Sequence, residues 1–394
     1  MPTHPFLRVA GLLLGLLTPF SAGAVQLVKP GADNEVVEVL PTVTRVRPGP
    51  ATAVAPPGDP AAVAIRAREA ISVARQTGDT RYWGRAQALL APWWDKADAP
   101  ADLAVLQATV QQGRHEFAPA RKVLAAALAR SPGHAQGWLN LAALERLSAR
   151  YAESLGACDA VARAQQPLYA HACRLETNSL RGDTQVVTEG LRTLLAQAAQ
   201  PAQRSWLSSL LAEHLERAGD DVAAAAAFQD SLRQERDLYT AIAYSDLLLR
   251  TGRPAAALRV LVEAPETDAV LLRRAAAWRR SGDSRWTAAR ATLRERAAEL
   301  TRRGEDPALH GRELALAALW LDDDAAAALV HARANLLLQR EPVDWWVAMA
   351  SARKANDPAA LAQIGAAIRT AGLHDVRLAP GAAAVAPAMR RLTP

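Results

Sequence analysis

The feature that most constrains the fold of this chain is a short helical pattern that recurs from residue 61 to about residue 378. Glycine-containing turn signals separate the stretches, and Gly182, Gly219, Gly252 and Gly282 follow one another at intervals of 37, 33 and 30 residues. Glycine supplies the left-handed conformation that ends a helix, and an aspartate after it can cap the next helix. A period in the thirties predicts stacked helical hairpins.

The composition favours helices over strands. Half of the 394 residues are hydrophobic but only 5% are aromatic, and much of the apolar half is alanine. Alanine has the highest intrinsic helix propensity, whereas β-branched residues are too sparse here for a large sheet. The supply of core-forming residues also excludes a chain that is disordered throughout. We therefore predict an all-α fold.

One unit carries a recognisable repeat motif. Its first helix has Trp138, Leu141 and Ala142, and its second has Tyr151, Ser154, Cys158 and Val161 before Pro167. This unit resembles a tetratricopeptide repeat, with Ala142 in place of the glycine and Cys158 in place of an aromatic residue. The resemblance implies a right-handed superhelical solenoid of antiparallel helix pairs, in which each hairpin covers the apolar face of the one before it.

The pattern predicts nine units. They are Ala62–Ala97, Ala101–Gly133, His134–Gln166, Leu168–Gln200, Ser205–Arg236, Asp237–Thr267, Asp268–Arg303, Ala308–Gln339 and Pro342–Gly372. The helix over Trp286–Arg303 is longer than a standard second helix, and the eighth unit has Asp322-Asp323-Asp324 where a glycine would stand. We interpret that acid run as a helix start, because the helix dipole favours negative charge there.

The resemblance also implies that the first helix of each pair lines a concave groove that holds a partner segment. Counted from the turn glycines, the residues predicted to face this groove are Arg146, Glu176, Glu213, Glu216, Tyr239, Asp246, Arg250, Arg279, Arg280, Trp346, Arg353 and Lys354. The middle of this set is acidic and its end is basic, and such a gradient would orient an extended peptide. The alternative is that the charges only keep exposed helix faces soluble. Neighbouring helix residues point about 100° apart, so the sequence indicates Trp345 between helices and Trp346 toward the groove. The alternative is that both rings are core or capping residues.

The two cysteines, Cys158 and Cys173, lie on neighbouring helices of the third and fourth units. Because these helices pack side by side, the spacing permits a disulfide, which would stabilise the fold by about 3 kcal/mol. Two buried free thiols are the alternative. Neither cysteine belongs to a CxxC motif or a Cys/His ligand set, so the sequence predicts no zinc site.

The two ends of the chain differ in composition from the helical array. Residues 1–24 have a basic start, an apolar run and small residues before Ala24, which is the layout of a secretory signal peptide. Residues 25–60 are rich in proline and predict an extended arm or linker. The helical array covers 61–378, and the Ala/Pro-rich tail 379–394 is expected to be disordered. No other stretch is long and apolar enough to cross a membrane, and the arginine-rich, lysine-poor usage suggests a bacterial periplasm.

The sequence contains none of the common catalytic or cofactor motifs. We find no nucleotide-binding loop, nucleophile elbow, HExxH pair or dinucleotide fingerprint, so we expect neither a cofactor nor a metal. The net charge of +6 comes from arginines dispersed along helices beside acids, which argues against binding to nucleic acid. We predict a non-enzymatic scaffold that binds envelope proteins or peptide segments. The alternatives are a glycan-processing enzyme of the peptidoglycan lyase kind, using a buried glutamate such as Glu213 or Glu216, and self-association through the end repeats.

Overall fold

A computed structural model describes residues 58–379, all within the compact unit Pro57–Pro394. The predicted signal peptide 1–24, nearly all of the arm 25–60 and all but the first residue of the tail 379–394 lie outside the described residues. Those assignments stay predictions. The predicted helical array is described in full.

The described residues form eighteen α-helices and no strand, which confirms the predicted all-α fold. In chain order the helices are α1 (Pro60–Thr77), α2 (Arg81–Leu90), α3 (Ala101–Gly113), α4 (Phe117–Arg130), α5 (Ala135–Leu147), α6 (Tyr151–Arg163), α7 (Pro167–Ser179), α8 (Thr184–Gln197), α9 (Pro201–Ala218), α10 (Asp221–Gln234), α11 (Leu238–Arg250), α12 (Pro254–Val260), α13 (Asp268–Arg280), α14 (Arg285–Arg302), α15 (Gly311–Ala317), α16 (Ala325–Leu338), α17 (Pro342–Lys354) and α18 (Pro358–Ala371). They follow one another as nine pairs, and each pair coincides with one unit of the sequence pattern. We number the pairs as hairpins 1 to 9, each with a first and a second helix.

Small and large side chains meet where the hairpins pack. Ala224 and Phe228 of α10 are fully buried, and Phe228 stacks on Tyr244 of α11 with 5.6 Å between the ring centroids. In hairpin 2, Ala120 and Leu124 of α4 are buried in the same way. Burying one such large side chain contributes about 2–3 kcal/mol, so these contacts hold each hairpin to the next.

Residues in the left-handed conformation end several of the first helices. Gly219 ends α9 with a φ of 90°, and the side chain of Asp220 then caps α10. Hairpin 8 lacks the glycine, and Asp323 takes this conformation with a φ of 59° after a π-helical turn over Ala318–Asp322. The side chain of Asp324 caps α16. The helix start predicted at the acid run is therefore confirmed.

Hairpins that lie four to six apart in the chain also touch. The contacts are the Arg340 amide donating to the Leu147 carbonyl (2.7 Å), the His374 amide donating to the Leu180 carbonyl (2.8 Å) and the ion pair of Arg377 with Glu216 (2.8 Å). We call this contact, between the ends of the first helices in hairpins 3 to 5 and the ends of hairpins 8 and 9, the seam. The repeat period does not predict the seam, because it arises from small rotations that accumulate along successive hairpins.

Candidate functional site

Half of the charged residues predicted for the groove form ion pairs with a residue on the neighbouring first helix, and Arg312 forms a similar pair that was not predicted. The pairs are Arg146 with Glu176 (2.7 Å), Glu216 with Arg250 (3.2 Å), Asp246 with Arg273 (2.9 Å) and Arg312 with Asp344 (2.7 Å). Each of these pairs joins one hairpin to the next, and all are at least half-buried. The sequence predicted several of these side chains as ligands for a partner, whereas the structure engages them within the chain, where they help to align the stacked helices.

The basic end of the predicted set is also engaged within the chain. The guanidinium of Arg279 donates to the Trp320 carbonyl and that of Arg280 donates to the Leu249 carbonyl, both at 2.6 Å. Burial lowers the pKa of Arg280. Carbonyl groups at helix C-termini lack intrahelical donors, so these arginines satisfy them.

The two cations at the end of α17 also have partners within the chain. Arg353 donates to the Ala379 carbonyl at 3.0 Å, and Lys354 forms an ion pair with Asp323. The predicted acidic middle and basic end are therefore engaged in contacts within the chain, and their contact with a partner stays a prediction.

Tyr239 and Glu213 form the open part of the surface. Tyr239, near the start of α11, is 55% exposed, and its side chain lies close enough to Glu213 on α9 that each group shifts the pKa of the other. The Glu213 side chain is 25% exposed and lies 3.7 Å from Arg217. Burial raises the pKa of Glu213 to about 7, although the Arg217 charge opposes this. A carboxyl group with this pKa binds and releases a proton near neutral pH.

Helices that are distant in sequence face the same space around Glu213. The negative charges of Glu176 on α7 and Glu341, the residue that caps α17, both raise the pKa of Glu213. The same two charges, with Glu213 itself as the largest contributor, raise the pKa of Tyr239. The first helices of hairpins 4, 5, 6 and 9 therefore face one space, which contains arginines such as Arg217 and Arg250 as well as the acids. We call this face of the first helices the concave surface.

Two rows of equivalent residues cross the concave surface. Tyr169, Trp206 and Tyr239 each lie thirteen residues before a turn glycine, and Glu176, Glu213 and Asp246 each lie six residues before it. We call these sets the aromatic row and the acidic row. The rings of Tyr169 and Trp206 are 5.7 Å apart between centroids, and both side chains are partly exposed. Tyr169 and Trp206 were not among the predicted groove residues, although their spacing from the glycines could have revealed them.

Trp345 and Trp346 differ in burial, as their directions on the helix require. Trp345 is only 4% exposed and lies in the core. Trp346 is half-buried, and its ring lies 6.5 Å from that of Trp320 between centroids. The guanidinium carbon of Arg273 lies over the Trp320 ring, 5.9 Å from the ring centroid. Trp346 therefore belongs to an aromatic cluster beside the concave surface.

A disulfide joins Cys158 of α6 to Cys173 of α7. Their Cα atoms are 5.6 Å apart, and both side chains are buried. Of the two alternatives left by the sequence, the structure contains the bridge. It fixes hairpin 3 to hairpin 4 at the edge of the concave surface.

We looked for candidate metal sites among the side chains of residues 58–379. There, no group of three or more histidine, cysteine, aspartate or glutamate side chains is placed to hold a metal ion. Within the same residues, no helix is both long enough and apolar enough to cross a membrane.

Comparisons with known proteins return structural neighbours alone. No family model matches the chain, and no curated protein matches it. Among solved structures, a tetratricopeptide repeat protein from Parabacteroides merdae ATCC 43184 is 13% identical, over 64% of this chain and 98% of that one, with a TM-score of 0.37. The TPR domain of P58(IPK) is 11% identical over 76% and 98%, with a TM-score of 0.21. Yeast Tom70 is 8% identical over 81% and 85%, with a TM-score of 0.24. The assignment of an all-α array of hairpins rests on the helices themselves.

Proposed function

We propose that the chain is a non-enzymatic scaffold of the bacterial envelope that holds an extended segment of a partner protein on its concave surface. The observation that carries this proposal is the aromatic row. Three rings recur at one position of three consecutive first helices and remain partly exposed. Partly exposed aromatic side chains that line a concave site are the usual anchors of protein recognition.

The spacing of the rows indicates what kind of segment fits. Packed helices lie about 10 Å apart, and an extended chain advances about 3.3 Å per residue. Every third residue of an extended partner would therefore meet a new ring. The acidic row adds little free charge to this fit, because Arg146 and Arg273 already pair with Glu176 and Asp246.

The location in the envelope is supported by two features. The signal-like segment 1–24 directs export, and a disulfide between Cys158 and Cys173 persists in an oxidising compartment such as the periplasm. Fractionation of cells that express the full chain tests this location. Recovery of the protein in the cytoplasm with residues 1–24 attached would contradict it.

The binding proposal is tested by capture of envelope proteins with the chain from residue 25 to residue 394. We expect Tyr239→Ala and Trp206→Ala each to reduce capture of a specific partner at least tenfold, because truncating a central ring removes a binding anchor. Val222→Ala is the matched control, since Val222 is 84% exposed on the second helix α10 and lies in neither row. Equal capture by all three variants and the unmodified protein would reject the concave surface as the binding site.

The raised pKa of Glu213 supports a second candidate function, that of a glycan-processing enzyme with a single acid. A carboxyl group that is protonated near pH 7 can act as a general acid. Glu216 does not fit this role, because Arg250 and Arg377 hold its carboxylate in ion pairs. Of the two glutamates considered as the catalytic acid of such an enzyme, Glu213 is therefore the one that fits.

Digestion of purified peptidoglycan separates the two candidates. Release of soluble sugar fragments by the unmodified protein, lost in Glu213→Gln but kept in the exposed control Glu153→Gln, would establish the enzyme. We expect no release by any of the three proteins.

A further inference from the structure

An apolar groove of about 810 Å³ lies at the seam, between the turn that joins α5 to α6 and the helices α16 and α18. Its lining includes Leu336, Leu337, Trp345 and Ile364, together with several alanines. Leu337 is 81% exposed, so its side chain is open to a ligand. We call this site the seam groove. It has the size of a typical small-molecule site, whose volumes run from about 300 to 1,000 Å³.

The charges on the seam groove all have one sign. Its charged lining residues are Arg150, Arg333 and Arg340, and no aspartate or glutamate lines it. Arg333 donates to the side-chain carbonyl of Gln363, and Arg340 donates through Nε to the Leu336 carbonyl (3.1 Å). Neither arginine forms an ion pair with any residue in 58–379.

An anion at the rim would therefore meet two guanidinium groups that lack a carboxylate partner. Arg150 differs from them, because its charge is balanced by Glu145. A carboxylate bound to an arginine gains charge-assisted hydrogen bonds, which are about twice as strong as neutral ones.

The walls of the groove favour an acyl chain over a peptide. Leu336, Leu337 and Ile364 offer aliphatic surface without a donor or an acceptor. An extended peptide enclosed by them would leave its own N–H and C=O groups without partners, which is costly. A hydrocarbon chain needs no such partners and gains stability from every methylene that it buries.

We propose that the seam groove binds a long-chain carboxylate, with its apolar chain against Leu337 and its carboxylate on the rim formed by Arg333 and Arg340. This site is separate from the concave surface and does not depend on the proposed scaffold function. Because both walls of the groove are present only when hairpin 3 meets hairpins 8 and 9, the bound chain would also stabilise the seam.

Titration calorimetry of the chain from residue 25 to residue 394 tests the proposal. The ligands are decanoate, dodecanoate and tetradecanoate below their aggregation concentrations, with dodecanol and dodecyltrimethylammonium as uncharged and cationic controls. We expect saturable binding of one carboxylate per chain, with an affinity that rises about three- to fourfold for each added methylene. Dodecanol and the cationic ligand are expected to bind at least tenfold more weakly than dodecanoate.

Variants locate the site. The double variant Arg333→Gln/Arg340→Gln is expected to weaken dodecanoate binding at least tenfold, and Leu337→Ser severalfold. Arg66→Gln/Arg192→Gln is the matched control, because both of these arginines are exposed and lie outside the groove. Circular dichroism establishes that each variant is folded, and Leu337→Ser still decides the outcome if the double variant is not.

Three results with these ligands and variants would overturn the proposal. They are absence of saturable binding below the aggregation concentration, equal affinities for dodecanoate and both controls, and dodecanoate binding that neither the arginine pair nor Leu337 affects. Binding of a polyglutamate peptide in place of the carboxylates would assign the groove to an acidic protein partner and would also overturn it.

Discussion

At the scale of single residues, Glu213 is a carboxyl group whose surroundings bring its pKa close to neutral pH. Burial raises its pKa to about 7, and the charges of Glu176 and Glu341 add to this rise. The carboxyl group is therefore more readily protonated in the folded chain than in the unfolded one. Its contribution to stability is complete below the unfolded pKa and is lost as the pH rises through 7.

Glu213→Gln is expected to remove this pH dependence. The free energy of unfolding of the unmodified protein should fall by about 2–3 kcal/mol relative to that of the variant between pH 4 and pH 8. Chemical denaturation of both proteins at several pH values measures the difference, and all other titrating groups cancel in the comparison. A difference that does not change with pH would show that the Glu213 carboxylate is well solvated.

Ala149 shows the cost of a missing glycine. It has a φ of 58° in the turn after α5, a conformation that glycine adopts without strain. We expect Ala149→Gly to raise the free energy of unfolding by about 1 kcal/mol. Ala126→Gly, at an exposed site inside α4, should lower it by about 1 kcal/mol. Destabilisation by both changes would contradict the assigned turn.

At the scale of elements, the nine hairpins could be predicted from the sequence because their signals are local. Glycine ends a helix and an apolar stripe marks its buried face, so units such as His134–Gln166 matched α5 and α6 closely. The partners of the long basic side chains could not be predicted in this way. Arg279 and Lys354 reach groups 41 and 31 residues away, and the sequence pattern does not encode such pairings.

The disulfide is an element-scale link, because it ties α6 to α7. We expect the unfolded, non-reduced protein to contain no thiol that reacts with a thiol reagent, and the reduced protein to contain two. Cys158→Ser/Cys173→Ser should lose about 3 kcal/mol of stability, since the bridge closes a 15-residue interval. Two reactive thiols without reduction would show that the bridge does not form.

At the scale of the whole molecule, the seam is the feature that the sequence did not predict. The residues of the concave surface were only partly predicted. Their spacing from the turn glycines can be read from the sequence, but the space that they face depends on the contact of hairpin 9 with hairpins 4 and 5. Glu341 acts on Glu213 across this space, although the two residues belong to different hairpins. The seam thus decides how enclosed the concave surface is.

Arg377→Ala is expected to open the seam. The side chain of Arg377 pairs with Glu216 at 2.8 Å and with Asp375 at 2.5 Å, so its removal leaves two buried carboxylates without this partner. We expect a loss of about 3–5 kcal/mol and faster hydrogen exchange of the His374 amide. Arg369→Ala, at an exposed site on α18, is the control and should change neither. Unchanged exchange in Arg377→Ala would mean that other contacts hold the seam.

Site-specific photo-crosslinking tests the central claim, that the concave surface holds a partner, most directly. A photoreactive amino acid replaces Tyr239 in one protein and Val222, on the outer helix α10, in another. We predict that cells expressing the first protein yield a discrete crosslinked partner and that cells expressing the second do not. The same partner crosslinked equally from both positions, or none from position 239, would contradict the account.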